Sequence, residues 1–175
     1  MKARYVVDTN VLIAASAADP AHPTDIDATP EDPALRLRVW EWLEQFRSSD
    51  ARLVLDTDNK IFDEYSKKLG FNDFGIQVVM HKMNTATTDD VTVQYDHDGH
   101  GVLPVSLVSV IHDLADRKMV AAALGAAQTV GVAPIAFAGD TDWHGWEDQL
   151  LRHGVVLEPL IEQWSRAKFT EKKLR

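Results

Sequence analysis

The sequence contains no cysteine among its 175 residues. This absence excludes a fold held by disulfides, a thiol nucleophile and a zinc site built on thiolates. The apolar stretches are short and interrupted, well below the ~18 residues that a membrane-spanning helix requires. The apolar run in the N-terminal MKARYVVDTN is too short for a signal peptide. We therefore expect a cytoplasmic protein that makes no membrane contact.

Basic residues are in the minority. The chain has 18 Lys and Arg against 27 Asp and Glu, a formal net charge of −9. This balance argues against a general nucleic-acid binder, because affinity for phosphate depends on Lys and Arg. It does not exclude a metal-dependent nuclease, since the acids of the metal site count toward the total. The composition, 45% hydrophobic and 26% charged, is that of an ordinary globular protein, and the length predicts a single domain over residues 1–175.

Short apolar runs alternate with stretches of helical periodicity along the chain. We predict strands at 4–8, 52–55, 135–138 and 155–157. Helices are predicted at 11–18, 33–49, 57–69, 71–84, 113–130 and 142–153, and in a C-terminal basic tail, 158–175. Such alternation predicts a three-layer α/β/α sandwich with a central, mostly parallel sheet.

Two segments interrupt this alternation. Residues 19–32 are acidic and proline-rich and predict a long loop. Residues 85–104 alternate in polarity around the hexamer DHDGHG and predict a β-hairpin insertion.

Acidic residues recur where the predicted strands end. In parallel sheets, ligands bind beyond the carboxyl ends of the strands, and this rule selects Asp8, Asp56 and Asp140. Further acids stand at the start of a helix, in HDLADRK, and inside one, in IFDEY. Carboxylates that converge repel one another unless a cation lies between them. Oxygen ligands favour Mg²⁺ or Mn²⁺, which typically serve phosphate chemistry.

The order of these groups resembles the PIN domain, a family of metal-dependent ribonucleases that includes many toxins of bacterial toxin–antitoxin pairs. The resemblance runs from Tyr5 to about Leu157. Its most specific segment is VVDTNVLIAA, and ADRKMVAAAL and FAGDTDW support it in order and spacing. It implies a three-layer α/β fold and hydrolysis of RNA phosphodiester bonds with Mg²⁺ or Mn²⁺ as cofactor.

Residue by residue, the resemblance implies a catalytic and metal-binding quartet of Asp8, Glu64, Asp116 and Asp140. Asp142 would be a fifth metal ligand, and Asn10 and Asp113 would support the site. Arg117, Lys118 and Lys82 are candidates to steer the phosphate backbone. The implied partners are RNA, single-stranded or structured, an antitoxin protein and a second copy of the chain. The loop at 19–32 and the insertion at 85–104 depart from compact members of the family.

Several of these residues also fit simpler structural roles. Asp113 and Asp142 stand where helix N-caps are expected, and Thr9 or Asn10 would cap the first helix. Asp116 would be favoured in the first turn of its helix by the helix dipole. Asp56 and Asp58 fit cap and turn positions. The hexamer residues Asp96, His97, Asp98 and His100 look like a metal cluster, but a tight turn rarely aims four side chains inward.

The aromatic residues and the tail leave similar choices. Trp40, Trp42 and Trp164 fit core or interface anchors better than base-stacking platforms. The basic tail fits either a solvated helix end or a contact to RNA or to an antitoxin.

Two other function classes stay open. A non-catalytic PIN-like module would bind RNA or protein without cleaving it. A phosphatase of the haloacid dehalogenase type also places an Asp after the first strand. Its chemistry requires a second carboxylate two residues later, and Asn10 occupies that position here.

Overall fold

The computed structural model describes residues 1–21 and 26–175, so part of the predicted 19–32 loop lies outside the described residues. The strands are β1 (Arg4–Val7), β2 (Arg52–Asp56), β3 (Thr88–Val91), β4 (Ile135–Phe137) and β5 (Leu157–Pro159). The helices are α1 (Thr9–Ala17), α2 (Pro33–Ser48), α3 (Lys60–Lys68), α4 (Phe74–Asn84), α5 (Val105–Val108), α6 (Arg117–Thr129), α7 (Trp143–Arg152) and α8 (Glu162–Lys173).

The strands form one parallel sheet in the order β3-β2-β1-β4-β5. Helices α1, α2 and α4 pack against one another, and α6 packs against β1 to β4. This is an α/β fold with a central parallel sheet, consistent with the predicted three-layer sandwich. The chain builds outward from β1 through β2 to β3 and then returns to place β4 on the other side of β1. The strand order therefore reverses between β1 and β4, where parallel sheets open a crevice at their carboxyl ends.

The core follows from the apolar runs that predict the strands. Tyr5, Val6 and Val7 of β1 are completely buried, as are the three residues of β4. Helix α6 reaches the sheet through small residues, among them Ala122 and Ala126. Short side chains allow the helix to lie close to the strands at interior packing density.

The predicted hairpin is wrong for its first half. Thr88–Val91 instead forms β3, which pairs in parallel with β2 at the sheet edge. Asp89 joins this edge to its neighbours, because its carboxylate accepts from Arg4 Nε at 2.9 Å and from Arg52 Nε at 2.6 Å. Alternating polarity predicts a strand without naming its partner, and these arginines come from other strands. The DHDGHG turn closes a single antiparallel bridge, between Tyr95 and Gly101.

Helix starts differ from their predicted positions. Thr9 and Asn10 lie inside α1, whose N-cap position is Asp8, and α6 begins at Arg117 rather than at Asp113. The short helix α5 was not predicted. Across residues 1–21 and 26–175, no helix has both the length and the apolar character that crossing a membrane would require.

Candidate active site

The predicted acids reach the site from four separate elements. Asp8 directly follows β1, and Asp140 follows the neighbouring strand β4, at the point where the strand order reverses. Asp116 precedes the first residue of α6, and Glu64 lies within α3, which packs against α6. We call these four residues the acid cluster. Residues more than a hundred positions apart come together because β1 and β4 are adjacent in the sheet.

Two members of the acid cluster have carboxylate oxygens without partners. Asp8 is 5% exposed and Asp116 is 9% exposed. Within the described residues, Oδ2 of each is buried and has no hydrogen-bond partner. A buried polar oxygen without a partner costs free energy, so native proteins seldom leave one. Two buried carboxylate oxygens of this kind fit a site for a bound cation, although the indole of Trp143 lies near enough to Asp8 to lower its pKa.

The acids raise one another's pKa. Burial, followed by the charge of Asp140, raises the pKa of Asp8 to about 7, although the amide N–H of Asn10 opposes the shift. Burial and then the charges of Asp8 and Asp140 raise the pKa of Asp116 to about 9. The pKa of Asp140 is also raised, chiefly by burial. The free protein therefore holds acids that a divalent cation would return to the ionised form.

The cluster acids act on one another electrostatically, but within the described residues no three of them bring their ligand atoms close together. In the described part of the chain, their ligand atoms form no group of three within 4.8 Å. Carboxylates that share a cavity without a cation are expected to stay apart, because like charges repel.

Glu64 is held on both sides. Its carboxylate accepts from Thr9 Oγ1 and forms an ion pair with the ammonium of Lys118. Lys118 Nζ also donates to the carbonyl of Ala115 at 2.9 Å. Asp63, the neighbouring acid that helix phase left open, is exposed. Lys118 therefore supplies a positive charge within the acid cluster.

Asp142 and Asp113 lie at the rim of the acid cluster. The amide N–H of Asp142 donates to Asp140 Oδ1 at 2.9 Å, and the Asp142 carboxylate pairs with Lys172 at 2.5 Å. Asp113 is exposed and accepts from the amide of Ala115 at 2.8 Å. Asp113 therefore makes a local turn, while its charge still raises the pKa of Asp116 and Asp140.

Asn10 is close to the acid cluster. Its Oδ1 is buried and, among the described residues, has no hydrogen-bond partner. A Cβ added at Gly139 would lie 2.8 Å from this oxygen and 2.1 Å from the carbonyl oxygen of Thr29. Only glycine at position 139 leaves room for the backbone that connects β4 to Asp140.

The structure does not support the predicted capping role of Asp142, and Asp116 does not cap its helix either. Asp116 and Asp142 occupy the N-cap positions of α6 and α7, yet within the described residues neither side chain accepts a capping hydrogen bond. Asp56, by contrast, is a cap, as predicted. Its oxygens accept from the amides of Lys60 at 3.0 Å and Ile61 at 2.8 Å and from the hydroxyl of Tyr95 at 2.8 Å. A strand-end acid that is fully satisfied has no capacity left for a metal.

Two of the three residues predicted to steer the phosphate backbone already donate hydrogen bonds to backbone carbonyls of the protein. Lys82 as a steering residue is wrong, because it is completely buried and donates to the carbonyls of Ser49 at 2.7 Å and Ala51 at 2.8 Å. The guanidinium of Arg117 donates to the carbonyls of Val108 and Ile111 at 3.2 Å. Lys118 contacts the acid cluster directly.

The DHDGHG turn gathers more side chains than a tight turn was expected to. Asp96, Asp98 and His100 bring ligand atoms within 4.8 Å of one another. All the hydrogen bonds of this arrangement are local: Asp96 Oδ1 accepts from the amides of Asp98 at 3.0 Å and His100 at 2.9 Å. The side chains of Asp96 and Asp98 are exposed. We call this group the turn triad, and it lies outside the predicted quartet.

The predicted tryptophan anchors pack within the protein. Trp42 stacks on Phe46 with ring centroids 5.5 Å apart, and Trp40 lies 5.7 Å from Phe74. Trp164 is half-buried against the core.

The contacts of Thr9 and Lys118 with Glu64 were missed by sequence reasoning. Thr9 was predicted only as a cap, and Lys118 only as a phosphate ligand. The spacing of these residues gives no signal for either contact, because Glu64 is 55 positions from Thr9.

Comparisons with protein-family models, with curated proteins and with solved structures found no match for this chain. Functional assignment therefore rests on the fold and on the chemistry of the acid cluster.

Proposed function

We propose that this protein is a metal-dependent endoribonuclease of the PIN type. The observation that carries the proposal is the pair of buried oxygens, Oδ2 of Asp8 and Oδ2 of Asp116, that have no hydrogen-bond partner in residues 1–21 and 26–175. They lie at the reversal of strand order, where parallel sheets bind ligands. The raised pKa of Asp8, Asp116 and Asp140 supports the same conclusion, because burial and mutual repulsion disfavour the ionised carboxylates in the free protein and a bound cation would reverse this.

The residues that would hold Mg²⁺ or Mn²⁺ are Asp8, Glu64, Asp116 and Asp140, with Asp142 as a fifth. When bound, such an ion lowers the pKa of a water molecule and neutralises charge on phosphoryl oxygens. Thr9 orients Glu64 by donating to its carboxylate, and the amide of Asp142 orients Asp140. The backbone N–H of Asn10 donates to the carboxylate of Asp8 and lowers the pKa of that acid. These contacts keep the carboxylates directed at one place, which is the contribution of neighbouring donors in metal sites.

Cleavage by the purified protein tests the proposal. A fluorescently labelled single-stranded RNA is incubated with the protein after EDTA treatment, and then with Mg²⁺, Mn²⁺ or Ca²⁺ added back. We expect EDTA to abolish cleavage and Mg²⁺ or Mn²⁺ to restore it. Ca²⁺ should not restore it, because it prefers looser and longer coordination.

Three results would contradict the proposal or narrow it. Full cleavage in EDTA would exclude metal-dependent hydrolysis. RNA binding without cleavage in any metal would favour a non-catalytic module. Hydrolysis of a small phosphate monoester, with RNA left intact, would favour a phosphatase. A role as the toxin of a toxin–antitoxin pair would appear as growth arrest on expression that depends on Asp116.

A further inference from the structure

A cavity of about 320 Å³ lies beside the acid cluster. Helix α3 contributes Lys60, Lys67 and Lys68, the DHDGHG turn contributes Asp98, and the N-terminal part of α6 contributes Lys118. Glu64 also lines it, so the cavity and the acid cluster share a wall. The size is at the lower end of the range of roughly 300–1,000 Å³ for ligand pockets.

The cavity concentrates positive charge in a chain whose net charge is −9. Lys60, Glu64 and Lys68 are spaced four residues apart, so they lie on one face of α3. Lys67 and Lys68 are exposed and, among the described residues, neither forms an ion pair. The two other acids of the lining, Asp63 and Asp98, do not offset all the lysines.

Lys118 connects the cavity to the acid cluster. Its ammonium pairs with Glu64 in the free protein, so both charges are satisfied locally. A divalent cation that takes Glu64 as a ligand competes with this ion pair. The displaced ammonium is already at the cavity wall and would add to its positive charge.

We infer that this cavity binds a backbone phosphate of single-stranded RNA next to the acid cluster, and that a cation at Glu64 releases Lys118 to join it. The inference rests on the proposed function for the identity of the strand. Its physical content is independent, because lysines around a concave surface bind phosphate without sequence preference. Metal and RNA would then bind cooperatively, since each favours the position of Lys118 that the other requires.

The first experiment measures RNA binding in EDTA, where the acid cluster cannot cleave. Fluorescence anisotropy with a labelled single-stranded RNA compares the double variant Lys67→Gln/Lys68→Gln with the matched control Arg38→Gln/Arg152→Gln, on α2 and α7. Both remove two positive charges from exposed helix positions. We expect the cavity variant to lose about tenfold or more in affinity, with a salt slope smaller by about 0.7 per lost contact. The control should stay within about twofold of wild type.

Equal losses in both variants would overturn the inference, because binding would then follow net charge alone. Wild type that fails to bind RNA would overturn it too.

The outcomes also separate this inference from the proposed function. Metal-dependent cleavage with unchanged binding in the cavity variant would reject the cavity alone. Cavity-dependent binding without cleavage in any metal would reject the nuclease alone.

The second experiment tests the release of Lys118. Calorimetric titration with Mn²⁺ should give tighter binding to Lys118→Gln than to wild type, because the competing ammonium is gone. The same variant should lose more RNA affinity in Ca²⁺ than in EDTA, because wild-type Lys118 is free only when a cation occupies Glu64. Weaker or unchanged Mn²⁺ binding in Lys118→Gln would show that Lys118 does not compete with the cation.

Discussion

The protein carries two groups of metal-ligand residues, and they differ in how their charges are satisfied. The acid cluster draws Asp8, Glu64, Asp116 and Asp140 from four elements and leaves two buried oxygens without partners within the described residues. The turn triad draws Asp96, Asp98 and His100 from one exposed turn. The backbone amides of His100 and Asp98 donate to Asp96 and lower its pKa, whereas the pKa values of Asp8, Asp116 and Asp140 are raised.

On this comparison we expect burial and mutual repulsion, rather than the proximity of ligand atoms alone, to decide where a metal binds. The turn triad has the tighter spacing, yet its turn already supplies hydrogen-bond donors and water reaches its oxygens. The ligand atoms of the acid cluster are farther apart than those of the turn triad, but burial and mutual repulsion make the binding of a cation favourable. We therefore expect the metal to bind at the acid cluster, and four predictions distinguish the acid cluster from the turn triad.

The largest effect should come from Asp116→Asn. The substitution keeps the size of the side chain and removes the charge that would hold the metal, so RNA cleavage should fall at least about hundredfold. The matched change Asp96→Asn, at a member of the turn triad that does not line the cavity, should leave the rate within about twofold of wild type. The initial rates of RNA cleavage in Mn²⁺ measure both effects, and circular dichroism verifies that each variant is folded. Cleavage by Asp116→Asn within about tenfold of wild type would mean that Asp116 only begins a helix.

The second effect is the pH dependence of the metal-free protein. An acid with a raised folded-state pKa binds more protons in the folded than in the unfolded chain, where Asp titrates near 3.9, so stability falls as pH rises above that value. The loss is complete above the folded-state values, about 7 for Asp8 and about 9 for Asp116. In EDTA we expect the free energy of unfolding to be higher at pH 5 than at pH 8 by on the order of 2 kcal/mol.

Urea unfolding at the two pH values measures this difference. The variant Asp8→Asn should reduce it, because Asp8 no longer titrates, whereas Asp96→Asn should leave it unchanged, because the lowered pKa of Asp96 keeps that acid ionised at both pH values. A protein that is more stable at pH 8 than at pH 5 without metal would show that the cluster acids are not under mutual repulsion.

The third effect is thermal and concerns single charges. Asp8→Asn or Asp140→Asn should raise the melting temperature of the metal-free protein, because relief of about 1 kcal/mol corresponds to roughly 2–4 °C at this length. Asp56→Ala should lower it by a similar amount, because the acceptor for the amides of Lys60 and Ile61 is lost. Scanning calorimetry in EDTA at pH 8 measures both signs. A uniform decrease would mean that Asp8 and Asp140 are structural.

The smallest effect is expected at the turn triad. Mn²⁺ should raise the melting temperature of wild type by mass action. Removal of Asp98 or His100 should change the free energy by which Mn²⁺ stabilises the protein by less than about 0.5 kcal/mol. The rise should be largely lost in Asp8→Asn. Melts of the variants across a Mn²⁺ titration check this ranking. If the rise disappears in His100→Ala and persists in Asp8→Asn, the assignment of the two groups is reversed.

Sequence reasoning succeeded where the signal is local. The apolar runs predict four of the five strands, and the cap at Asp56 follows from a strand-end acid before a helix. The hairpin prediction was wrong at Thr88–Val91 because alternation describes a strand but not its neighbour. Lys82 was misassigned because a lysine at the end of an amphipathic helix gives no sign that it will be buried against backbone carbonyls.

The sequence by itself determined the α/β alternation and the recurrence of acids at strand ends, because hydrophobic period and turn chemistry act over a few residues. Only the tertiary structure decided which acids become neighbours, since that depends on β4 pairing with β1 across about 130 residues of chain. It also decided that Glu64 rather than Asp63 faces the acid cluster and that Lys118 pairs with it. Burial and charge are properties of the assembled fold, so the difference between the satisfied turn triad and the unsatisfied acid cluster exists only there.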